Sequence, residues 1–303
     1  MRDDLQQRIA QVRNDREHGS RWLVHEALLI VRDLARTKIA SSDEHMRQLF
    51  VTARELAGSR PAMAALSSAV SRVLNVTGGP EAVARAADHL LEEYEEAPAR
   101  IARYATPYLK GRLMTCSLSG TVLDVLAACQ SQIEHIIVLE GRPRYEGRVM
   151  AQELQQRGFA VTVITDAQAD IFLPQCQAVV VGADSVLANG DVLNKAGTAL
   201  LGWAARGHQL PFYVLCETLK ISPRRWLANP AHRQENLHML EEKEGAEVWD
   251  QAKPGITVRN FYFDRTSFAL VAAWVTERGI LDQSMIVDIA AQVEKDERHL
   301  ASG

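Results

Sequence analysis

The chain of 303 residues lacks the features of secreted, membrane-spanning and strongly nucleic-acid-binding proteins. Its start, MRDDLQQRIAQVRNDREHG, contains no apolar core of a secretory signal. No stretch approaches the ~20 apolar residues that cross a bilayer. The formal net charge is only −4, from 34 Lys+Arg and 38 Asp+Glu, and nonspecific nucleic-acid binding favours a strongly basic face. We therefore expect a cytoplasmic protein that contacts neither membranes nor nucleic acid directly.

Motifs for metals, disulfides and nucleotide cofactors are also missing. The four cysteines form no C-x-x-C pair, and the nine histidines form no H-x-x-x-H or HExxH array. The cysteines are Cys116, Cys129, Cys176 and Cys216. Neither a Walker A loop nor a GxGxxG turn is present. The sequence therefore predicts no zinc site, no disulfide framework and no cofactor.

What is present is an ample supply of core residues in two successive patterns. Hydrophobic residues make up 47% of the chain, and domains average roughly 150 residues, so about two domains are expected. As far as about residue 110 the pattern is helical. Segments 64–76 and 81–97 place apolar residues three and four apart, and Pro80 suits the first turn of the second helix.

After Pro107 short runs rich in Val and Ile alternate with helical segments. The runs are RLMTCS, HIIVLE, AVTVIT, AVVVGAD and PFYVLCE. Strands without polar alternation are typical of a parallel sheet covered on both faces. Segments 119–130, 146–157 and 194–207 are long enough for crossover helices. We therefore predict a helical domain over residues 1–108 and a doubly wound, Rossmann-like α/β domain over 109–303, with ligands beyond the carboxyl ends of the strands.

GADSVLANGDVLNKAGT, residues 182–198, is the most informative stretch. Asp184 follows a predicted strand, where a carboxylate can serve as a general base. Asn194 and Lys195 are predicted at the start of a helix, a place that favours phosphate. The alternative is that Asp184 caps a loop and Lys195 is a solvated surface charge, and spacing alone does not decide between them.

Two other strand ends carry polar side chains. Residues 140–148 contain three arginines, Arg142 among them, and two carboxylates, which would bind a phosphate or pair with one another. Residues 115–121 offer hydroxyls, the Cys116 thiol and backbone amides near a helix start. Because Ser and Thr are also common at ordinary helix N-caps, this segment alone is weak evidence for a site.

Taken together, these segments resemble one family: the regulatory (alpha, beta and delta) subunits of translation initiation factor 2B and their relatives, methylthioribose-1-phosphate isomerase and ribose-1,5-bisphosphate isomerase. The matching segments are 140–154, 182–198, 211–220 and 260–280, with looser matches at 18–28 and 59–66. The resemblance implies a helical domain on a Rossmann-like domain that forms a homodimer. It also implies a pocket between the domains for a small phosphorylated sugar or nucleotide.

The resemblance also assigns roles to individual residues. In the isomerases an Asp of the GAD motif acts as acid/base, and Asp184 matches it. Asn194, Lys195 and Arg60 match residues that contact phosphate or substrate, and Glu146 stands where the isomerases usually carry Gln. Arg21 lies in a segment where the isomerases carry an RGAP-like motif, and it would replace the missing arginine there.

The sequence departs from the isomerases at the catalytic cysteine. In the isomerases a Cys of a T-H-C-N motif shares the acid/base steps. An ungapped alignment places Ser117 on that Cys, whereas a shift of one residue places Cys116 there. Serine is a poor acid/base at neutral pH because its pKa lies far above that of Cys, ~8.5.

Two hypotheses therefore stand. The first is an isomerase that converts an aldose 1-phosphate to a ketose 1-phosphate, with Asp184 as base and Cys116 as acid. The residues predicted to bind its substrate are Arg21, Arg60, Ser117, Arg142, Glu146, Asn194 and Lys195. The second is a noncatalytic, ligand-sensing relative of the factor subunits that binds sugar or nucleoside phosphates.

Overall fold

A computed structural model describes residues 2–15, 18–39 and 41–302, apart from the side chains of Arg2 and Asp3. Its first third is helical, as predicted. The helices of this part are α1 (Arg2–Asn14), α2 (Ser20–Arg36), α3 (Ser42–Gly58), α4 (Ala64–Leu74) and α5 (Gly79–Ala105). Pro80 lies in the first turn of α5, where its missing N–H costs no hydrogen bond.

Apolar stripes join these helices into one core. On α2 the buried positions Leu23, Ala27, Ile30 and Leu34 recur at three- and four-residue spacing, which lines one face of a helix. Each large apolar side chain buried in this way contributes roughly 1.5–3 kcal/mol. The same core also includes Leu219, Tyr262, Phe263 and Leu300 from the rest of the chain. The helical part is therefore closely packed against the part that follows it.

The remainder is built around a seven-stranded sheet in the order β12-β11-β7-β4-β1-β2-β3. Its strands are β1 (Gly111–Cys116), β2 (Ile133–Leu139), β3 (Val161–Ile164), β4 (Ala178–Val181), β7 (Phe212–Leu215), β11 (Ala273–Thr276) and β12 (Gly279–Leu281). All neighbouring pairs are parallel except β11 with β12. Every residue of β4 is buried, as the unbroken apolar run predicts.

Helices cover both faces of this sheet. They are α6 (Gly120–Ala128), α7 (Glu146–Gln156), α8 (Ala169–Phe172), α9 (Thr198–Gly207) and α11 (Gln283–Ser302), with the short α10 (Arg233–His238) outside the sheet layers. The predicted α/β class with a helical N-terminal part is therefore confirmed. The division at residue 108 stays a prediction. It falls between the end of α5 and the start of β1.

A second, antiparallel sheet replaces part of a predicted helix. Its strands are β5 (Ser185–Val186), β6 (Val192–Lys195) and β10 (Phe263–Thr266), and β8 (Glu242–Lys243) pairs separately with β9 (Asn260–Phe261). Asn194 and Lys195 end β6, so their predicted place at a helix start is wrong. The helix begins three residues later because Asp264 accepts hydrogen bonds from the backbone N–H groups of Gly197 and Ala199.

The chain then returns to its beginning. Helix α11 packs on α3 and α4, with side-chain bonds from Ser67 to Glu297 (2.6 Å) and from Asn75 to Asp296 (2.7 Å). Across the described ranges, none of the helices is both long and apolar enough to cross a lipid bilayer.

Candidate functional site

The crevice lies where the winding of the sheet changes direction. After β1 the chain proceeds to β2 and β3 on one side, and β4 lies on the other side of β1. Such switch points open a cleft beyond the strand ends. Two cavities of about 500 and 370 Å³ open here and share His18, Gly19, Ser117, Leu118 and Asp184 in their walls. We call the two together the crevice, with a larger and a smaller cavity.

The strand ends are fitted closely together at this point. Ser117 has a φ of +62°, which turns the chain sharply out of β1, and the Ser119 hydroxyl then caps α6 by accepting from the Val122 N–H. A Cβ at Gly182 would lie 2.7 Å from the Ser119 hydroxyl oxygen. A residue without a side chain is therefore needed after β4 for the two loops to meet.

Asp184 lies at the junction of the two cavities. Among the described residues its carboxylate has no hydrogen-bond partner, and the Lys220 ammonium is the opposite charge that acts on it most strongly. Burial raises the pKa of Asp184 to about 6, against the opposing effect of Lys220. A carboxyl group with this pKa can both lose and regain a proton near neutral pH.

Cys116 and Ser117 both reach the crevice but differ in setting. Cys116 is buried and lines the smaller cavity with Asp184, and its Sγ lies 3.5 Å from the Thr198 hydroxyl. Burial raises the pKa of the Cys116 thiol to about 12, so the thiol is neutral. Ser117 lines both cavities. The structure therefore brings both candidates for the cysteine position to the same place as Asp184.

Lys195 is a buried cation of the larger cavity. Its Nζ lies 2.6 Å from Glu146 Oε1 and 4.6 Å from the centre of the Tyr262 ring. The second oxygen of Glu146 is buried without a hydrogen-bond partner in the described part of the chain. Asn194 lines the smaller cavity and donates to the Thr198 hydroxyl. The end of β6 thus supplies one side chain to each cavity.

The larger cavity is rich in cations that come from distant parts of the chain. Arginine and lysine side chains in its wall are Arg13, Arg60, Arg144, Lys195 and Lys243. Arg60 donates to the backbone oxygen of Asp15 at 2.8 Å and lies 3.7 Å from Glu241, which also meets Lys243 at 3.1 Å. The side chain of Arg60 is only 11% exposed, so it is held in the wall.

Two of the predicted arginines have other contacts. Arg21 lines the smaller cavity but forms an ion pair with Asp124. Arg142 does not line the crevice. It bonds to the Tyr145 hydroxyl and to the backbone oxygen of Val248, and the neighbouring Arg144 faces the larger cavity instead. Arg142 therefore lies outside the crevice, unlike the other predicted ligand-binding residues, and its role in ligand binding stays a prediction.

Internal pairing, the alternative considered for residues 140–148, holds in part, because Arg148 pairs with Glu140 at 2.7 Å. Sequence reasoning also missed crevice residues. These are His18, Arg144, Lys220, Lys243 and Tyr262. Lys220 could have been found from the sequence, because it follows β7 beyond the carboxyl end of that strand, where ligands bind in such sheets. Within residues 2–15, 18–39 and 41–302, no group of three or more His, Cys, Asp or Glu side chains is placed to hold a metal ion.

Comparison with known proteins places the relatives of this chain in one family. The profile of the Initiation factor 2 subunit family matches residues 16–283. A putative translation initiation factor eIF-2B subunit 2-like protein of Pyrococcus horikoshii is 28% identical over 281 residues, covering 90% of this chain and 94% of that protein. The ribose 1,5-bisphosphate isomerase of Archaeoglobus fulgidus is 29% identical over 257 residues, covering 81% and 80%.

A methylthioribose-1-phosphate isomerase of Pelotomaculum thermopropionicum is 34% identical over 300 residues, covering 88% of this chain and 80% of that protein. Among solved structures, the translation initiation factor eIF-2B of Pyrococcus horikoshii OT3 superposes with a TM-score of 0.77 at 27% identity, covering 92% of this chain and 96% of that one. The relatives thus include both factor subunits and isomerases.

Proposed function

The chain belongs to the Initiation factor 2 subunit family, and we propose that its crevice binds a phosphorylated pentose and isomerises an aldose 1-phosphate to the ketose 1-phosphate. The observation that carries the proposal is the position of Asp184. Its carboxyl group lies where a cavity lined by cations joins a cavity that contains Cys116. Two relatives of the chain are named as isomerases of phosphorylated pentoses.

Phosphate recognition rests on the larger cavity. Arg60 and Lys195 are held in its wall by contacts to protein oxygens, so little side-chain entropy is lost when they meet an anion. Arginine presents a planar fork of donors to phosphate, and lysine a compact charge. The pocket should therefore prefer dianionic phosphates to neutral sugars.

The chemistry needs proton transfer and no external oxidant or reductant. When the ring opens, the ring oxygen gains a proton. C2 loses one, C1 gains one and the 2-hydroxyl loses one, so protons and electrons balance within the sugar. Asp184 takes the proton from C2 as the base and returns it to C1. The neutral Cys116 thiol donates its proton as the acid to the ring oxygen when the bond between C1 and that oxygen breaks, and it regains a proton from the 2-hydroxyl.

Nuclear magnetic resonance of reaction mixtures tests this proposal. The protein is incubated with ribose 1,5-bisphosphate and, separately, with methylthioribose 1-phosphate. We expect a ketose signal from one of them, and a loss of turnover of about 10²–10⁴-fold in Asp184→Asn. No ketose from either compound would refute these two substrates. Unchanged turnover in Asp184→Asn would refute the mechanism.

A noncatalytic, ligand-sensing function is the second candidate, and one observation favours it. A thiol with a pKa of about 12 is a weak proton donor at neutral pH, and Ser117 rather than Cys116 lines both cavities. This function predicts thermal stabilisation by sugar phosphates or nucleoside monophosphates without any product. Turnover that is lost in Cys116→Ser, with ligand binding retained, would decide for the enzyme.

We also propose that two copies associate through the α/β part in the cytoplasm. Helices α8 and α9 contact each other and expose Ile171, Leu200 and Trp203, at 69%, 76% and 64%. Exposed apolar clusters of this kind mark interfaces. Four free, buried cysteines fit a compartment that keeps thiols reduced. Light scattering tests the assembly: a Leu200→Glu/Trp203→Glu variant should be monomeric, and a dimer in that variant would exclude this face.

A further inference from the structure

The two cavities of the crevice differ in the chemistry of their walls. In the larger cavity five lysine and arginine side chains stand against three carboxylates, those of Asp15, Glu146 and Asp184. In the smaller cavity four elements of the fold each supply an apolar side chain. These side chains are Trp22 on α2, Leu118 after β1, Leu123 on α6 and Val149 on α7. A ligand that fills both cavities therefore meets positive charge at one end and apolar surface at the other.

The cations of the smaller cavity are already paired with carboxylates of the protein. Among the described residues of this wall, the lysine and arginine side chains are Arg21 and Lys220. Arg21 forms an ion pair with Asp124, and Lys220 Nζ lies 3.5 Å from Glu217 Oε2. The wall also contains the carboxylate of Glu153. A phosphate group in this cavity would lose its hydration and meet no excess of positive charge, so its burial is unfavourable.

The proposed reaction determines which end of the sugar enters the smaller cavity. The phosphate on C1 binds among the cations of the larger cavity, and Asp184 at the junction acts on C2. Cys116, which donates to the ring oxygen, belongs to the wall of the smaller cavity. Carbons C3 to C5, and any substituent on C5, therefore extend into the smaller cavity.

The smaller cavity is large for that part of the sugar. Its volume of about 370 Å³ falls within the range of complete small-molecule pockets, ~300–1,000 Å³. Val149 is 44% exposed and Trp22 is half-buried, so apolar surface of this wall is still open to solvent. An apolar group that covers this surface removes it from water, which is favourable.

We propose that the smaller cavity is a subsite for an uncharged, apolar substituent on C5 of the pentose, up to the size of a butylthio group, and that Val149 is a residue that determines this specificity. A second phosphate on C5 is disfavoured in this subsite. The inference rests on the proposed function for the orientation of the sugar. It goes further because the proton transfers at C1 and C2 set no requirement on C5.

The first experiment compares four ribose 1-phosphates that carry a hydroxyl, phosphate, methylthio or butylthio group on C5. Calorimetry measures their binding to Asp184→Asn, which keeps the apolar wall and forms no product. From hydroxyl to methylthio we expect the affinity to rise about 10–100-fold, because small apolar groups give differences of this order in apolar pockets. The butylthio compound should bind at least as tightly as the methylthio compound, and the bisphosphate no more tightly than the hydroxyl compound.

Three results of this comparison would overturn the inference while the proposed function stands. They are equal affinities for the hydroxyl and methylthio compounds, tighter binding of the bisphosphate, and binding of the butylthio compound about tenfold weaker than that of the methylthio compound. Absence of binding by all four compounds would refute the proposed function, and the inference with it.

Val149→Lys, made in Asp184→Asn, tests the specificity residue. It places a cation in the wall of the smaller cavity, so the affinity for the methylthio compound should fall about tenfold and that for the bisphosphate should rise about tenfold. Val163→Lys is the matched control, because Val163 has the same exposure, 44%, but lies on β3 outside the crevice. It should leave both affinities unchanged. Equal changes in the two variants, or no change in Val149→Lys, would exclude Val149 from this role.

Trp22 reports which cavity the substituent enters. Its ring is stacked on that of His18, with 4.2 Å between the ring centres, and is thereby held in the wall. The butylthio compound should change the tryptophan fluorescence, inorganic phosphate should not, and Trp22→Phe should abolish the change. No change on binding of the butylthio compound, or a change of the same size with inorganic phosphate, would contradict the assignment of the smaller cavity to the C5 substituent.

Discussion

The two ends of the stretch 182–198 differ although they belong to one hairpin. At the open end, Asp184 and Lys195 face the crevice, and burial raises the pKa of Asp184 to about 6. At the tip, Asp191 is fully buried, but it accepts hydrogen bonds from Arg265 Nε (2.6 Å) and from the Phe268 N–H (2.9 Å). Burial of Asp184 is opposed by nearby cations such as Lys220 but by no hydrogen bond among the described residues, whereas Asp191 accepts hydrogen bonds at both oxygens.

The tip of the hairpin, residues 189–191, therefore has a structural role. Gly190 has a φ of +90°, and a Cβ there would lie 3.1 Å from the Trp274 ring. Asn189 accepts from the Asp191 N–H and its backbone oxygen accepts from Gln283. The asparagine, glycine and aspartate of the tip thus hold the hairpin against β10 and α11. Residue type alone does not separate a site from its support, but hydrogen-bond satisfaction does.

The largest expected effect is at the tip. Asp191→Asn removes the negative charge that pairs with Arg265. It also places an amide N–H group toward one of the two donors, Arg265 Nε or the Phe268 N–H. Breaking one side of a buried pair costs up to 3–5 kcal/mol, and Arg265 is 33% exposed, so we expect a loss of about 3 kcal/mol in the free energy of unfolding. Urea denaturation measures it. A loss below about 1 kcal/mol would mean that the tip is not structural.

At the open end the expected effect is on binding. Lys195→Met keeps the length of the side chain but removes its charge, and we expect phosphate ligands to bind about 10–100-fold more weakly, or about 1.4–2.7 kcal/mol. Arg142→Met is the matched control, because Arg142 lies outside the crevice and should bind as the wild type does. Calorimetry measures both affinities. Equal losses in the two variants would show that the position of Lys195 in the crevice gives it no special part in binding.

The glycine of the tip gives a smaller effect on stability. Gly190→Ala combines an unfavourable φ with a contact against Trp274 and Phe268, so we expect a loss of about 2 kcal/mol. Gly197→Ala shares the positive φ but has nothing within 4 Å, and it should lose only about 1 kcal/mol. Equal losses in thermal denaturation would show that contact with the aromatic residues adds nothing.

Much of the fold could be predicted from the sequence because its signals are local. Parallel strands covered on both faces become unbroken Val/Ile runs, and β4 is such a run. Since ligands bind beyond the carboxyl ends of the strands of such a sheet, the sequence could predict Asp184 and Ser117 at this edge because each follows a predicted strand. The sequence did not decide whether Cys116 or Ser117 occupies the position of the catalytic cysteine. The structure brings both residues to the crevice.

The errors arose where distant residues decide. Asn194 and Lys195 belong to β6 because β6 pairs with β10, more than 60 residues away in the chain. Arg144 rather than Arg142 faces the crevice because the Arg142 side chain bonds to the backbone oxygen of Val248, 106 residues further along the chain. Lys243 lies within residues 224–255, a polar region of the sequence without regular apolar spacing. The spacing of apolar residues along the chain does not reveal contacts between such distant segments.

The smallest effect is expected at Asp184. Its replacement by Asn should stabilise the protein at about pH 8, whereas Asp191→Asn should destabilise it. The folded pKa of Asp184, about 6, lies above its usual value of 3.8, so the folded state holds this proton more tightly than the unfolded state does. The contribution of the protonated Asp184 carboxyl to stability is therefore lost as the pH rises from about 4 through about 6, and this loss is absent in Asp184→Asn. At about pH 8 we expect Asp184→Asn to be more stable than the wild type by about 1–2 kcal/mol, and the difference should shrink toward pH 4.

Asp264→Asn supplies the comparison for that measurement. Burial also raises the pKa of Asp264 to about 6, but this carboxylate accepts hydrogen bonds from the Gly197 and Ala199 N–H groups at the start of α9. Its replacement removes one of the accepting oxygens and places an amide donor beside N–H donors, so we expect a loss of about 1 kcal/mol below about pH 4. Because the pKa of Asp264 is raised as that of Asp184 is, this loss should shrink as the pH rises through about 6. Urea denaturation at several pH values distinguishes the two carboxylates. If Asp184→Asn also lost stability at about pH 8, the carboxylate at the open end would be a structural group like Asp191, and the contrast between the two ends of the hairpin would fail.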